Sequence, residues 1–202
     1  MKLHSSSNVP LCLLVAVALD PLIGLAQATT YSGQATALKA TALGTSITLA
    51  DTGALPSTGG NITRDLANIN VAGLITATAL HSATSGTGNT SQSSTHLANL
   101  SVLGLISARG ISTSTTATCN GSTASTSGDT QFVSLTVAGQ QIVNANPNLA
   151  ISLPGGIAVI VNEQTSSGDG QGTAQTTVNA LHITAPGVDV VVGSSHSDIT
   201  CP

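Results

Sequence analysis

The chain has 202 residues and a formal net charge of −4 at pH 7, with four Lys and Arg against eight Asp and Glu residues. This acidic balance provides no basic patch to neutralise phosphates, so it argues against nucleic-acid binding. Hydrophobic residues make up 41% of the chain, which argues against disorder, while aromatic residues at 1% argue against an ordinary sugar-binding module with aromatic platforms.

The first 28 residues have the layout of a secretory signal peptide. Lys2 lies in a polar start, an apolar run follows from Leu11 to Leu19, and Ala26-Gln27-Ala28 matches a small-residue cleavage site. The apolar run is shorter than the roughly 20 residues that a membrane-spanning helix needs. We predict a cleavable signal helix over residues 1–28, cleavage between Ala28 and Thr29, and a mature domain of residues 29–202 without a transmembrane anchor.

Two cysteines remain after the predicted cleavage, Cys119 and Cys201. An even number of cysteines in an exported protein favours a disulfide, and two cysteines allow one intramolecular pairing. The alternative is a metal site, but the close Cys or His spacing of zinc sites is missing. We predict a Cys119–Cys201 disulfide and no metal or cofactor.

From Thr29 onward, the pattern predicts short β-strands separated by Gly, Pro, Asn and Ser. Ile111–Cys119 carries small polar residues on both faces, which predicts a sheet edge or an exposed face. The polar segments Ser82–Ser94 and Asn120–Gly128 are predicted to be loops. The predicted strands of this half are Tyr31–Ala40, Thr45–Ala50, Asn61–Ala67 (a strand or one helical turn), Val71–Leu80, His96–Ala108 and Ile111–Cys119.

In the second half, two apolar, β-branched runs near the C-terminus predict a hairpin on which the other strands pack. Pro186 presets φ for a turn, and Gly187 tolerates the positive φ that a type II turn needs next. Thr165–Gly172 is predicted to be a flexible turn. The predicted strands are Thr130–Ala138, Gln141–Val143, a short strand with Ile151 and Leu153, Ile157–Glu163, Val178–Thr184 and Val188–Gly193.

The mature chain has no sustained helical periodicity. About ten short runs at intervals of roughly 8 to 15 residues favour an antiparallel sandwich. We therefore predict an all-β, sandwich-like single domain that follows the signal helix.

Several segments resemble the choice-of-anchor P family. They are YSGQATALKATALGTSITLADTGALPSTGG at the start of the mature chain, FVSLTVAGQQI from Phe132, ISLPGGIAVIVNEQ from Ile151, TVNALHI from Thr177, and DVVVGSSHSDITC from Asp189. The resemblance implies an exported bacterial protein whose shared domain has no assigned biochemical role. Members of that family carry C-terminal sorting signals, whereas this sequence ends at Cys201-Pro202, so we expect free secretion or non-covalent association with the cell surface.

His182, His196 and Glu163 are the candidate site residues, with Asp189 between the two histidines in sequence. Strand alternation predicts that His182 lies beside Val178 and Ala180 and that His196 is in line with Val190 and Val192. A metal or proton site is one reading, and hydrogen-bonded strand histidines are the other. Glu163, the one Glu of the chain, is either a functional carboxylate or a hydrogen-bonded residue at a strand end.

Two further patterns invite a chemical reading. Ser194, Ser195 and Ser197 flank His196, but the nucleophile-elbow pattern is absent, and serines are abundant by composition. The segment Ser166–Gly170 has too few acidic residues for a calcium loop and is better explained as a turn. We therefore predict no catalytic residues.

These observations predict a non-enzymatic, exported protein that acts as a structural or interaction module of the cell surface or extracellular matrix. Its partners would be further copies of itself or components of the cell envelope. The alternative is a secreted module that binds a glycan or an ordered surface. A hydrolase is a weaker alternative, because it requires a cleft that joins a Ser or Glu163 to a histidine.

Overall fold

A computed structural model describes residues 28–42 and 44–202, and these residues form two antiparallel sheets of six strands each. Sheet 1 has the strand order β2-β1-β12-β11-β10-β9, and sheet 2 has the order β3-β4-β5-β6-β7-β8. The all-β sandwich prediction is confirmed. The strands are β1 Thr30–Ala42, β2 Thr45–Asp51, β3 Gly60–Val71, β4 Ile75–Thr87, β5 Thr90–Val102, β6 Ile106–Asn120, β7 Thr123–Val137, β8 Gln140–Gln141, β9 Leu149–Leu153, β10 Ile157–Gly168, β11 Thr173–Ala185 and β12 Val188–Thr200.

The predicted signal segment, residues 1–28, lies outside the described residues except for Ala28, so its cleavage before Thr29 stays a prediction. Within the part that the structure describes, no helix is long and apolar enough to cross a membrane.

The predicted C-terminal hairpin is confirmed and lies inside sheet 1. β11 and β12 pair along their whole length, β12 also pairs with β1, and β11 also pairs with β10. Gly187 has a φ of 73°, as the predicted type II turn requires. Both strands are longer than predicted, because the polar residues before Val178 and after Gly193 continue the ladder.

Two predicted strands, Val71–Leu80 and His96–Ala108, each contain the turn of a tight hairpin. Ala72 and Gly73 have φ values of 48° and 71°, and Leu103 and Gly104 have 54° and 65°. Positive φ at both central residues defines a type I′ turn, whose twist matches that of the flanking strands. The sequence pattern missed these turns because Ala and Leu occupy positions where Asn or Gly is usual.

Four predictions for polar segments differ from the structure. Ser82–Ser94 is not a loop but the end of β4 and the start of β5, and Asn120–Gly128 contains a two-residue turn after which β7 begins at Thr123. The flexible turn at Thr165–Gly172 is shorter, because β10 continues to Gly168. Ile111–Cys119 is not at a sheet edge, because β6 lies between β5 and β7. Asn61–Ala67 is a strand and not a helical turn.

The interior has an apolar core at the end of the sandwich where the type I′ turns lie. Side chains from both sheets are fully enclosed there, because inward positions of these strand halves carry Leu, Ile, Val and Ala. Burial of each large side chain contributes about 1.5 to 3 kcal/mol. The largest include Leu38, Leu80, Leu97, Ile106, Ile111, Leu135, Leu181 and Ile183.

Beyond this core, the alternation between inward and outward side chains shifts by one residue. In β4, Ile75 and Ala77 are buried, Ala79 has a φ of 50°, and the inward positions then continue as Leu80 and Ser82. A residue with positive φ disturbs the regular alternation of a strand in the way a β-bulge does. Similar shifts occur in neighbouring strands of both sheets, so one line of irregular residues crosses each sheet.

The shift changes the position of His196. Gly193 in β12 has a φ of 61°. Val190 and Val192 are buried before it, and Ser195 and Ser197 are buried after it. His196 is therefore on the outer face and not in line with Val190 and Val192, contrary to the prediction.

Past the shift, small hydroxyl side chains fill the space between the sheets. Ser195 and Ser197 of β12 form hydrogen bonds with Thr113 and Thr115 of β6, with oxygen separations of 2.6 and 2.9 Å. Ser93 donates a hydrogen bond to the His196 carbonyl at 2.6 Å. Because these oxygens are paired, the hydroxyl layer is tolerated in the interior.

The predicted disulfide is confirmed and closes the interior at the far end of this hydroxyl layer. Cys119 is the penultimate residue of β6 in sheet 2 and Cys201 follows β12 of sheet 1, with their Cα atoms 5.6 Å apart. The bond therefore joins the two sheets. A small apolar cluster surrounds it, formed by Tyr31, Leu55, Ala117, Ala124, Ala174 and Ile199.

Candidate functional site

Two of the three predicted site residues meet on the outer face of sheet 1. The register of β10 and β11 places Glu163 opposite Asn179 and close to His182. His182 Nδ1 lies 3.1 Å from Glu163 Oε1, and His182 Nε2 lies 3.1 Å from Asp189 Oδ2. Asn179 Nδ2 donates a hydrogen bond of 2.6 Å to the other Glu163 oxygen. The histidine thus bridges two carboxylates, each from a neighbouring strand.

This arrangement stabilises the charged form of His182. Partial burial by itself lowers the pKa of the ring, but the hydrogen bonds to Glu163 and Asp189 outweigh it and raise the pKa above its usual value. When protonated, both ring nitrogens donate to carboxylates, so the group is an ion-paired network. The reading of His182 as a hydrogen-bonded strand histidine fits this geometry.

His196 lies on the same face but is not part of that cluster. Its Nδ1 is 2.9 Å from Thr177 Oγ1. Thr177 and His182 are five positions apart along β11, which corresponds to about 16 Å of strand. Burial raises the pKa of the neighbouring Asp198 above its usual value, against the attraction of His196.

A polar groove of about 420 Å³ runs over the outer face of sheet 1 beside His196. At one end, Asp51 Oδ1 accepts hydrogen bonds from Gln34 Nε2 at 2.8 Å and from Thr36 Oγ1 at 3.0 Å. Burial by itself raises the pKa of Asp51, but the hydrogen bonds from Gln34, the Gly53 N–H and Thr36 hold it below its usual value. The groove is lined by Gln34, Thr36, Lys39, Thr48, Asp51, Thr177, Asn179, Val191, Ser194 and His196.

The serines near His196 do not form a catalytic group with it. The hydroxyls of Ser195 and Ser197 are directed between the sheets, where they bond to Thr113 and Thr115. Ser194 faces the groove, but the contact that orients the His196 ring comes from Thr177. Sequence neighbours on a strand alternate between its two faces, so sequence adjacency does not bring these groups together.

The hydrolase alternative requires a glutamate or serine beside a histidine, and Glu163 does contact His182. However, Glu163 and Asp189 occupy both nitrogens of that ring, so neither nitrogen is free to accept a proton from a substrate. The same occupancy leaves no ring lone pair directed at a metal ion. In the part of the chain that the structure describes, no group of three or more His, Cys, Asp or Glu residues has a metal-binding arrangement.

The Ser166–Gly170 segment comprises the last residues of β10, which ends at Gly168, and the first residues of the turn to β11. Asp169 Oδ1 accepts hydrogen bonds from the backbone N–H groups of Gln171, Gly172 and Thr173 at 2.8 to 2.9 Å. The N–H groups of Gly172, Thr173 and Gln171 lower the pKa of Asp169 to about 2. The carboxylate therefore organises the turn; the sequence had predicted a turn here rather than a calcium loop, but not this role of Asp169.

A second titratable cluster, on the outer face of sheet 2, was missed from the sequence. His81 Nδ1 lies 2.7 Å from Asp65 Oδ1, and the His81 and His96 rings have centroids 6.2 Å apart. The three residues belong to β3, β4 and β5 and become neighbours through strand register. The sequence did not reveal this cluster, because His81 falls between the predicted strand Val71–Leu80 and the predicted loop Ser82–Ser94 and its cross-strand neighbours were unknown.

Comparisons of the chain with family models, curated proteins and solved structures gave no match. The resemblance to the choice-of-anchor P family stays a prediction, and the candidate site rests on the geometry described above.

Proposed function

We propose that this protein is an exported, non-enzymatic β-sandwich that acts as a structural or interaction module of the cell surface or extracellular matrix. The observation that carries the proposal is the buried Cys119–Cys201 disulfide, which links the two sheets. Disulfides form and persist in oxidising compartments and are rare in the reducing cytosol. The signal-peptide pattern of residues 1–28 points to the same destination.

The polar chemistry of the outer faces supports binding rather than catalysis. His182 is held between Glu163 and Asp189, and the hydroxyls of Ser195 and Ser197 are used inside the sandwich. These groups thus serve the fold. An extracellular module with few charges and many Ser and Thr side chains presents backbone edges and flat faces as its interaction surfaces.

The experiment is expression of the full chain in a bacterium, followed by fractionation and mass spectrometry. We expect the protein outside the cytoplasm, with Thr29 as its first residue and Cys119 joined to Cys201. Release from the cell surface by high salt or mild denaturant would identify non-covalent attachment. A protein that stays in the cytoplasm with the thiols of Cys119 and Cys201 reduced would contradict the proposal. A variant with Leu13→Arg and Val15→Arg in the apolar run of the leader provides the export-negative control.

The polar groove of sheet 1 favours a second candidate, a secreted module that binds a glycan. Side-chain amide, hydroxyl, carboxylate and imidazole groups line it, and such groups orient hydroxyl-rich ligands through hydrogen bonds. In the described residues, the buried Asn179 Oδ1 has no hydrogen-bond partner. A glycan array tests this candidate, with Gln34→Ala and His196→Ala expected to abolish a signal that Gln175→Ala outside the groove preserves. Absence of any signal for the unaltered protein would contradict it.

A further inference from the structure

The outer edge of β7 is open over most of its length. β7 has 15 residues, but β8 pairs only with Thr136 and Val137. Two further backbone bonds join the Ile142 N–H to the Leu135 carbonyl and the Ala124 N–H to the Gly170 carbonyl, near the two ends of β7. Among the described residues, no strand pairs with positions 125–134 on the side away from β6. Backbone N–H and C=O groups are obligatory hydrogen-bonding groups, so this edge is a template for another strand.

Two other edges, those of β3 and of β10 beyond β9, carry features that oppose strand addition. On β3, the Arg64 guanidinium donates a hydrogen bond of 2.8 Å to the Thr63 carbonyl, and Asp65 adds a second charge. On β10, the Gln164 N–H is bonded to Asn148 Oδ1 at 2.8 Å. Charged side chains and side-chain caps of this kind protect an edge from pairing. Along β7, the one charged residue is Asp129.

Exposed apolar side chains lie beside the open edge. Val133 and Val143 are each 82% exposed, twice as much as the next large apolar side chains, Leu74 at 42% and Leu105 at 40%. Both valines line a depression of about 440 Å³ between the second half of β7 and the segment that follows β8. An unpaired edge flanked by exposed apolar groups combines backbone pairing with burial of apolar surface.

We propose that two copies of this protein associate through their β7 strands, paired antiparallel about a two-fold axis. This inference rests on the proposed function, for which it names the self-association surface. One isologous interface of this kind satisfies the open edges of both copies at once. The strand that pairs with β7 is thus β7 of the second copy.

The sequence of β7 selects a register for this pairing. Residues that face each other across an antiparallel pair project from the same face of the sheet. With the axis at Gly128, Asp129 of each copy faces Ser127 of the other, and the carboxylate accepts a hydrogen bond from the hydroxyl. With the axis at Asp129, two carboxylates would face each other, which is destabilising. The Gly128 register pairs residues 125–131 of the two copies, which lie between the positions that contact Gly170 and Ile142.

Sedimentation velocity from low micromolar to high micromolar protein tests the proposal, on the full chain and on the chain that starts at Thr29. We expect a concentration-dependent dimer. Ser127→Asp introduces a carboxylate opposite Asp129 of the other copy, and we expect the dissociation constant to rise roughly tenfold, from two symmetric like-charge pairs. Ser127→Lys creates two opposite-charge pairs and is expected to lower the dissociation constant by a similar factor.

Gln92→Asp is the matched control, because Gln92 is exposed on the same face of sheet 2 but belongs to the central strand β5. Circular dichroism and thermal unfolding establish that each variant is folded. A monomer throughout the concentration range would overturn the proposal. A dimer whose dissociation constant changes equally in Ser127→Asp and Gln92→Asp would also overturn it. Either result leaves the export experiment unaffected, so failure of this inference is distinguishable from failure of the proposed function.

Discussion

The hydroxyl groups of Thr113 and Ser195 lie 2.6 Å apart between the sheets and bond β6 to β12. Thr113 is also 2.7 Å from Thr95 on the neighbouring strand, so it has two hydroxyl partners. All three side chains are buried. The layer that separates the apolar core from the disulfide therefore depends on mutual hydrogen bonding among residues from three strands.

Thr113→Val is expected to lower the free energy of unfolding by about 1 to 3 kcal/mol. The substitution preserves the shape of the side chain but leaves the buried hydroxyls of Thr95 and Ser195 without their shared partner, and an unsatisfied buried group has this cost. Urea unfolding followed by circular dichroism measures the change. Thr76→Val on the exposed face of β4 is the control and should have little effect.

The triple variant Thr95→Val, Thr113→Val and Ser195→Ala is expected to be more stable than Thr113→Val alone. Replacing all partners of a network by apolar groups removes the unsatisfied oxygens together. Urea unfolding of both variants provides the comparison. If the free energy of unfolding of the triple variant instead falls by the sum of three separate losses, the hydroxyl network does not act as a unit.

Removal of the disulfide is expected to lower the free energy of unfolding by about 2 to 5 kcal/mol, because the cross-link closes a long loop in the unfolded chain. Cys119→Ser with Cys201→Ser, or addition of reductant to the unaltered protein, tests this in guanidinium unfolding. The double variant should be insensitive to reductant. Equal stability of the reduced and oxidised proteins would contradict the prediction.

Glu163→Gln is expected to lower the pKa of His182. The hydrogen bond and charge of Glu163 raise the pKa of the ring against its partial burial, and Gln removes the charge. Proton NMR titration of the imidazole signals measures the shift. Gln175→Ala, on β11 away from this cluster, is the control and should leave the pKa of His182 unchanged.

The raised pKa of His182 also predicts a pH dependence of stability. Because the folded-state pKa exceeds that of the unfolded chain, the stabilisation is complete below the unfolded value of about 6.5 and is lost as pH rises through the folded value. His182→Gln should therefore differ most from the unaltered protein at mildly acidic pH, while the carboxylates are still ionised. Urea unfolding at a series of pH values measures this difference. A difference that grows with rising pH would contradict the assignment.

Gly193→Ala is expected to cost more stability than Gly139→Ala. Both glycines have positive φ, 61° and 80°, so both substitutions carry a conformational penalty of about 1 to 2 kcal/mol. An added Cβ at Gly193 would also lie 3.0 Å from Thr95 Oγ1 and 3.2 Å from Ala180 Cβ, whereas at Gly139 it meets open space. Thermal unfolding of the two variants separates the steric cost from the conformational cost.

The strand pattern predicted the apolar halves of the strands better than the polar halves. Val178–Thr184 and Val188–Gly193 were found because β-branched runs identify strands by composition. Ser82–Ser94 was taken for a loop because Ser, Thr and Gly are typical of loops, yet Ser82, Ser91 and Ser93 are buried. Ser93 bonds to Thr84 on β4 and to the His196 carbonyl on β12, and a single segment does not reveal such cross-strand partners.

The candidate site shows the same division. Glu163 and His182 were selected as unusual residues on neighbouring strands, but their contact depends on the register of β10 against β11. His196 was placed on the wrong face because the positive φ of Gly193 shifts the alternation of β12. Asp51 and Asn179 were not identified, since each acquires its partners from another strand.

The sequence by itself determined the all-β class, the C-terminal hairpin and the pairing of Cys119 with Cys201, because β-branched periodicity, turn chemistry and the number of cysteines are local or countable properties. Only the tertiary structure decided the strand order, the hydroxyl layer, the His182 network and the open edge of β7. These features depend on which strands are neighbours and in what register, and a shift of one residue moves every side chain of a strand to the opposite face.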